Sequence, residues 1–149
     1  MGLMVALSIL ALLLPQCRVV VWETGQQRLL YFWGGHQALG ATVSGLAYFL
    51  GALMGAIAAF LMVMGYRNLS KEKPSAIALF NWAALFIAIE LVFILGIAEE
   101  VLTDLRAQSL HADSYASWGG GVSEFLLIAL LFVPGWVKKA YFPKAEAGS

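Results

Sequence analysis

Charged side chains are scarce in this chain. Asp, Glu, Lys and Arg make up 12% of the residues and hydrophobic residues 61%, whereas soluble domains average about 25% charged and about 45–50% apolar residues. The formal net charge is zero, which removes any bulk electrostatic attraction to nucleic acid. The composition therefore predicts an integral membrane protein whose surroundings are a lipid bilayer, with no nucleic-acid partner.

Cysteine and histidine are also rare. The one cysteine, Cys17, excludes an intramolecular disulfide, a paired-thiol redox site and a cysteine-rich metal site. The sequence has no Gly-rich phosphate loop, no nucleophile elbow and no HExxH zinc helix, so neither an enzyme nor a metal centre is predicted. His36, before the second apolar stretch, is a weak candidate ligand for haem iron or a chlorophyll magnesium, and no other cofactor is predicted.

Long apolar stretches, by contrast, account for most of the sequence. They cover residues of about 3–22, 41–66, 75–98 and 118–137, and a transmembrane helix needs about 20 residues. Most basic residues lie in the second loop and after the fourth stretch: Arg67, Lys71, Lys73, Lys138, Lys139 and Lys144. Fewer lie on the other side: Arg18, Arg28 and Arg106. The positive-inside rule then predicts one all-α domain over residues 1–149, a four-helix transmembrane bundle with both termini in the cytoplasm.

Two segments allow more than one interpretation. Residues 3–22 form either a retained first helix, with Pro15 as a kink or an early end, or the core of a cleaved signal. Residues 19–33 either finish that helix and add an aromatic belt, or form a short β-hairpin around Gly25. After residue 98, the spacing of Val101, Leu102 and Leu105 predicts that helix three continues beyond the membrane or turns onto its surface.

Two acidic residues lie inside the third and fourth stretches. In antiparallel spans, Glu90 and Glu124 fall at nearly the same depth, about 5 Å from the bilayer centre. Carboxyl groups at this depth are rare, and they usually face a bundle interior or a wet cavity. The pair is consistent with a proton or cation pathway. The alternative is that Glu90 forms a hydrogen bond between helices while Glu124 reaches the outer interface.

Small residues form a stripe along the second apolar stretch. Its members are Ser44, Ala47, Gly51, Gly55 and Ala58. Small side chains let helix backbones approach closely, which favours association in membranes. The stripe predicts a close helix contact, either with another copy or subunit, or with helix three or four of the same chain.

The layout of helices and loops resembles that of claudin-type four-helix membrane proteins. The resemblance implies cytoplasmic termini, a β-rich first outer segment and an outward extension of helix three. The claudin W-x(n)-G-L-W signature and its paired cysteines are absent, so no functional residue is carried over.

Together these features favour a non-enzymatic role. The leading hypothesis is a small integral-membrane subunit that packs into a homo-oligomer or a larger membrane complex, with Gly51 and Gly55 at the close contact. The five tryptophans would add contact area or interfacial anchoring. The competing hypothesis is a proton or cation channel or carrier that uses Glu90 and Glu124.

Overall fold

The computed structural model describes residues 2–34, 39–41 and 43–143. Within these residues the fold is mostly helical, with four helices and one small antiparallel sheet. In chain order the elements are α1 (Gly2–Leu13), β1 (Cys17–Val21), β2 (Gln26–Leu30), α2 (Gly45–Leu69), α3 (Ser75–Ala107), β3 (Ala112–Ala116) and α4 (Trp118–Tyr141).

Three of the described helices, α2, α3 and α4, are long and apolar enough to cross a membrane, with 25, 33 and 24 residues. Helix α1 is also apolar, but its 12 residues give a length of about 18 Å, less than the ~30 Å of a bilayer's hydrocarbon core. Length and composition therefore indicate a membrane protein, and they single out α1 as an incomplete span.

The prediction that the first helix extends to residue 22 is wrong. Helix α1 ends at Leu13, because Pro15 has no N–H for the helix ladder and restricts the backbone of the residue before it. The next backbone N–H, that of Gln16, donates to the Leu30 carbonyl at 2.6 Å, which starts the sheet. Strand β1 then takes the β-branched run Val19–Val21, which suits extended backbone.

The hairpin interpretation of residues 19–33 is confirmed. Strands β1 and β2 pair antiparallel, with Val19 opposite Arg28, around a turn in which Gly25 has φ of 66°. Strand β3 pairs antiparallel with the other edge of β1, which gives the order β2-β1-β3. Strand β3 was not predicted because its sequence, ADSYA, has neither a β-branched run nor a clear alternation of apolar and polar residues.

Helix α3 continues past residue 98 to Ala107, as its apolar spacing predicts. The side chains of Val101, Leu102 and Leu105 are buried in the same cluster as Val19 and Val21. This extension therefore packs against the face of the sheet that carries Val19 and Val21. Helices α2 and α4 also run a few residues beyond their predicted C-terminal ends, to Leu69 and Tyr141.

One end of each described helix lies at the sheet. Strand β1 follows α1, β2 precedes α2, and β3 lies between α3 and α4, so the ends of α1 and α3 meet the starts of α2 and α4 there. A second buried cluster lies between the helices and includes Met62, Phe80, Ile87, Leu126 and Leu130. Helix α3 contacts both α2 and α4, and α1 contacts the same two helices.

Candidate functional site

Glu90 is the one acidic side chain that the described structure buries, with 3% of its surface exposed. It lies on the inner face of α3, in line with Ala83, Ile87, Ile94 and Ile97, all of which are buried. That spacing is the helical repeat of three and four residues, so the face that carries the carboxyl is otherwise apolar. A buried polar group of this kind needs a hydrogen-bonding partner.

Ser123 of α4 supplies that partner. Its hydroxyl donates to Oε1 of Glu90 at 3.4 Å, and both residues are buried. The distance is long for an O–H···O bond, whose usual value is about 2.7–2.8 Å. The contact links α3 to α4 in the interior.

Gly55 of α2 completes the surroundings of this carboxyl. A Cβ placed on Gly55 would lie 2.9 Å from both Cδ and Oε1 of Glu90, and 2.5 Å from Cδ2 of Leu12. The missing side chain is what lets α1 and α3 approach α2 at this level. We call Gly55, Glu90 and Ser123 the Glu90 cluster.

The small-residue stripe of α2 is directed toward the chain's own residues along most of its length. A Cβ on Gly51 would lie 2.7 Å from Phe32 and 3.2 Å from Cβ of Phe93 in α3, and Ala58 is fully buried. Toward the start of α2, Ala47 is half-buried and Ser44 is exposed. Gly51, Gly55 and Ala58 thus serve contacts within the chain.

Glu124 lies on a different face of α4 from Ser123. Its side chain is exposed, and it lines a groove of about 220 Å³ between α3 and α4, beneath the sheet. Ile128 and Leu131, which follow it at helical spacing on α4, are also exposed. Within the part of the chain that the structure describes, Glu124 forms no hydrogen bond with Glu90.

Gln16 is a buried polar residue that no sequence motif singles out. Its amide nitrogen donates to the carbonyls of Ala11 at 2.6 Å and Leu14 at 2.7 Å, and so satisfies the end of α1. Gly119 and Gly120 make room for this residue, since a Cβ on either would lie 2.6 Å from a Gln16 atom. Its Oε1 atom is buried and has no hydrogen-bond partner among the described residues.

The acidic residues at the sheet end form separate pairs. Both carboxylate oxygens of Glu23 accept the backbone N–H of His111 at 2.9 Å, and the His111 ring also contacts this carboxylate. Asp113 accepts from the indole of Trp22 at 2.8 Å, and Glu99 pairs with Arg106 at 3.6 Å on the surface. Among the described residues, no three His, Cys, Asp or Glu side chains are grouped to hold a metal ion.

His36, the candidate pigment or haem ligand, lies outside the described residues. All five tryptophans lie within them, and each is more than half exposed: Trp22, Trp33, Trp82, Trp118 and Trp136. Three belong to the sheet end, while Trp82 and Trp136 lie toward the opposite ends of α3 and α4. Tryptophans in two such bands are typical of the two membrane–water interfaces.

Comparison of the chain with protein-family models, with curated proteins and with solved structures finds no match.

Proposed function

We propose that this protein is a small, non-enzymatic subunit of a membrane assembly, either a homo-oligomer or a larger complex. The observation that supports the proposal is a contrast between its interior and its surface. Gly51, Gly55, Glu90 and Ser123 are engaged within the chain, whereas all five tryptophans project outward. Such a molecule acts through its surface, and exposed tryptophans are among the residues that contribute most to protein interfaces.

The sheet end is the part of this surface that best suits a protein partner. Trp22 and Trp33 are 59% and 63% exposed, and the Trp33 ring stacks on Tyr31 with 4.7 Å between ring centroids. Rigid, exposed aromatic rings on a small sheet offer contact area at a low cost in conformational entropy. The sheet is itself held by the extension of α3, so its aromatic residues are presented in a fixed arrangement.

Native mass spectrometry of the detergent-purified protein tests the assembly. A defined stoichiometry that decreases when Trp22 and Trp33 are both replaced by Ala supports the proposal. The matched control replaces Trp82 and Trp136, which lie toward the other end of the molecule. A wild-type protein that is monomeric and free of other subunits would contradict the proposal.

The proposed arrangement in the membrane has both termini in the cytoplasm. Its support is topological, because the sheet gathers one end of each helix and leaves the basic α2–α3 turn and the lysines of α4 at the other end. In a Cys17→Ala background, Thr24→Cys in the hairpin turn and Ser70→Cys in the α2–α3 turn mark the two ends. An impermeant thiol reagent added to intact cells should label Thr24→Cys alone, and the reverse pattern would overturn the orientation.

A second candidate function is proton or cation transport. One observation favours it: two neighbouring residues of α4 connect the buried carboxyl with the groove. Ser123 contacts Glu90, and Glu124 lines the groove between α3 and α4. In liposomes, a carrier should lose its flux when Glu90 is replaced by Gln and keep it when the surface residue Glu99 is replaced by Gln. Equal flux through wild type, Glu90→Gln and empty liposomes would remove this candidate.

A further inference from the structure

A groove of about 720 Å³ lies where α1, α4 and the sheet meet. The part of the groove away from the sheet has an apolar wall, which the two helices form with Leu7, Val122 and Phe125. Phe125 is 59% exposed, and the exposed face of α4 continues below it through Ile128 and Phe132. The groove is therefore continuous with a helix surface of the kind that faces acyl chains.

The upper end of the groove is polar and positively charged. Arg18 lines it, and no acidic residue is among the described residues that do. The guanidinium lies 5.5 Å from the centroid of the Tyr115 ring. Within the described part of the chain, no Asp or Glu lies within ion-pair distance of Arg18, so its charge is available to a ligand.

Ser117 lines the same groove and carries a hydroxyl that can donate a hydrogen bond. It precedes α4 at the N-cap position, yet within the described residues its hydroxyl makes no capping hydrogen bond. Arg18 pairs with Tyr115 in the sheet, and Ser117 lies two residues further along, on the same side of the extended chain. Arginine and serine side chains are both common ligands of phosphate oxygens.

We propose that this groove binds one phospholipid with a net negative headgroup. The phosphate lies at Arg18 and Ser117, and one acyl chain runs along Leu7, Val122 and Phe125. A soluble anion would use only the charged end, whereas a phospholipid matches both the charge and the apolar wall that leads into the membrane.

Lipid titration of the delipidated protein in detergent, followed by native mass spectrometry, tests the headgroup. Phosphatidylglycerol is the anionic probe and phosphatidylcholine the neutral comparison. Arg18→Gln should weaken phosphatidylglycerol binding by about tenfold, equivalent to about 1.4 kcal/mol, and leave phosphatidylcholine binding unchanged. Arg28→Gln is the matched control, since Arg28 is exposed on β2 and does not line the groove. Equal losses in the two variants would mean general electrostatic attraction and overturn the site.

A second pair of variants tests the apolar wall without disturbing the packing. Gly121 lines the groove, and a Cβ there would meet no atom of the described residues within 4 Å, so Gly121→Leu fills the groove. The same holds for a Cβ on Gly135, which lies outside the groove, so Gly135→Leu is the control. Gly121→Leu should reduce phosphatidylglycerol binding several-fold and Gly135→Leu should not.

Three other results would overturn the proposal. Unchanged phosphatidylglycerol binding by Gly121→Leu would show that the acyl chain does not lie in the groove. Competition by inorganic phosphate as strong as that by the lipid would indicate a free-anion site. A dimer that excludes phosphatidylglycerol would indicate that a second copy occupies the groove. Equal melting temperatures of Arg18→Gln and Arg28→Gln would exclude unfolding as the cause of a difference.

Discussion

Gly55 and Glu90 face each other so closely that a Cβ on the glycine would lie 2.9 Å from Oε1 of the carboxyl. A contact under 3.0 Å from a Cβ forces a neighbour to move, and here the neighbours are a buried side chain and Leu12 of α1. The absence of a side chain at Gly55 therefore leaves room for the Glu90 carboxyl between the helices.

Gly55→Ala should destabilise the protein. Overpacking of a well-packed interior costs about 1–3 kcal/mol, although alanine also gains about 1 kcal/mol of helix propensity over glycine. Gly96→Ala on α3 is the matched control, because a Cβ there would meet no atom of the described part of the chain within 4 Å and the propensity gain is the same. The denaturation midpoint in detergent should be lower for Gly55→Ala than for Gly96→Ala. Equal midpoints would mean that the Glu90 cluster is loosely packed.

Gln16→Glu should weaken the attachment of α1. The glutamine amide donates to the carbonyls of Ala11 and Leu14, whereas a carboxyl group has no proton to donate when it is ionised and only one when it is neutral. An unsatisfied buried polar group costs about 1–3 kcal/mol, so we expect a clear fall in the free energy of unfolding. Gln27→Glu, at an exposed position of β2, should cause little change. Similar losses in both variants would contradict a capping role for Gln16.

The parts of the fold that the sequence predicted correctly are those governed by local composition. Long apolar runs define α2, α3 and α4, and a β-branched run beside a glycine turn made the hairpin one of two interpretations. The predicted end of α1 lies nine residues beyond the observed one, since hydropathy does not distinguish a helix from a buried strand and Pro15 ends the helix instead of kinking it. Strand β3 depends on pairing with β1, about 95 residues away, which no local pattern contains.

The relative height of Glu90 and Glu124 could be predicted from the sequence, but the directions of their side chains could not. Residue counting places Glu90 and Glu124 at similar heights, yet packing decides which face of α4 turns inward. The buried positions Gly119, Ser123, Leu126 and Leu130 follow a helical repeat. From the sequence alone, this face of α4 and the face that carries Glu124 are both possible inner faces. Gln16 had no such signal, because its role arises from the end of α1.

Cys17 should be unreactive in the folded protein. Burial raises the pKa of its thiol to about 12, and the thiolate is the form that attacks maleimides. Labelling by N-ethylmaleimide near neutral pH should therefore be at least about 100-fold slower in mild detergent than after unfolding in SDS. Mass spectrometry counts the label without ambiguity, because the chain has one cysteine.

An exposed cysteine provides the control for this measurement. In a Cys17→Ala background, Ser70→Cys places a thiol in the exposed α2–α3 turn, and it should react at nearly the same rate in both conditions. If Cys17 reacts as fast as this exposed thiol in mild detergent, β1 does not pack against α3 as described.

The contact between Glu23 and His111 should make one end of the sheet sensitive to acid. Hydrogen bonds from the His111 side chain and backbone hold the pKa of Glu23 below its usual value of 4.5. Folding thus favours the ionised carboxylate, so its stabilising effect is fully present above pH 4.5 and is lost as the pH falls through the lower, folded-state pKa. The pairing between β1 and β3 should weaken in this pH range, because the backbone N–H of Trp22 donates to the carbonyl of His111 at 2.9 Å.

A carbon-13 NMR titration of the Glu23 carboxyl in micelles measures this shift directly. The Trp22 amide resonance should change with the same midpoint, below 4.5, because the two contacts occupy the same corner of the sheet. Glu23→Gln removes the titrating group, so in that variant the Trp22 amide should lose this transition while the hairpin itself stays formed. A Glu23 midpoint at or above 4.5, or a Trp22 transition that persists in Glu23→Gln, would show that the His111 contact does not form in solution.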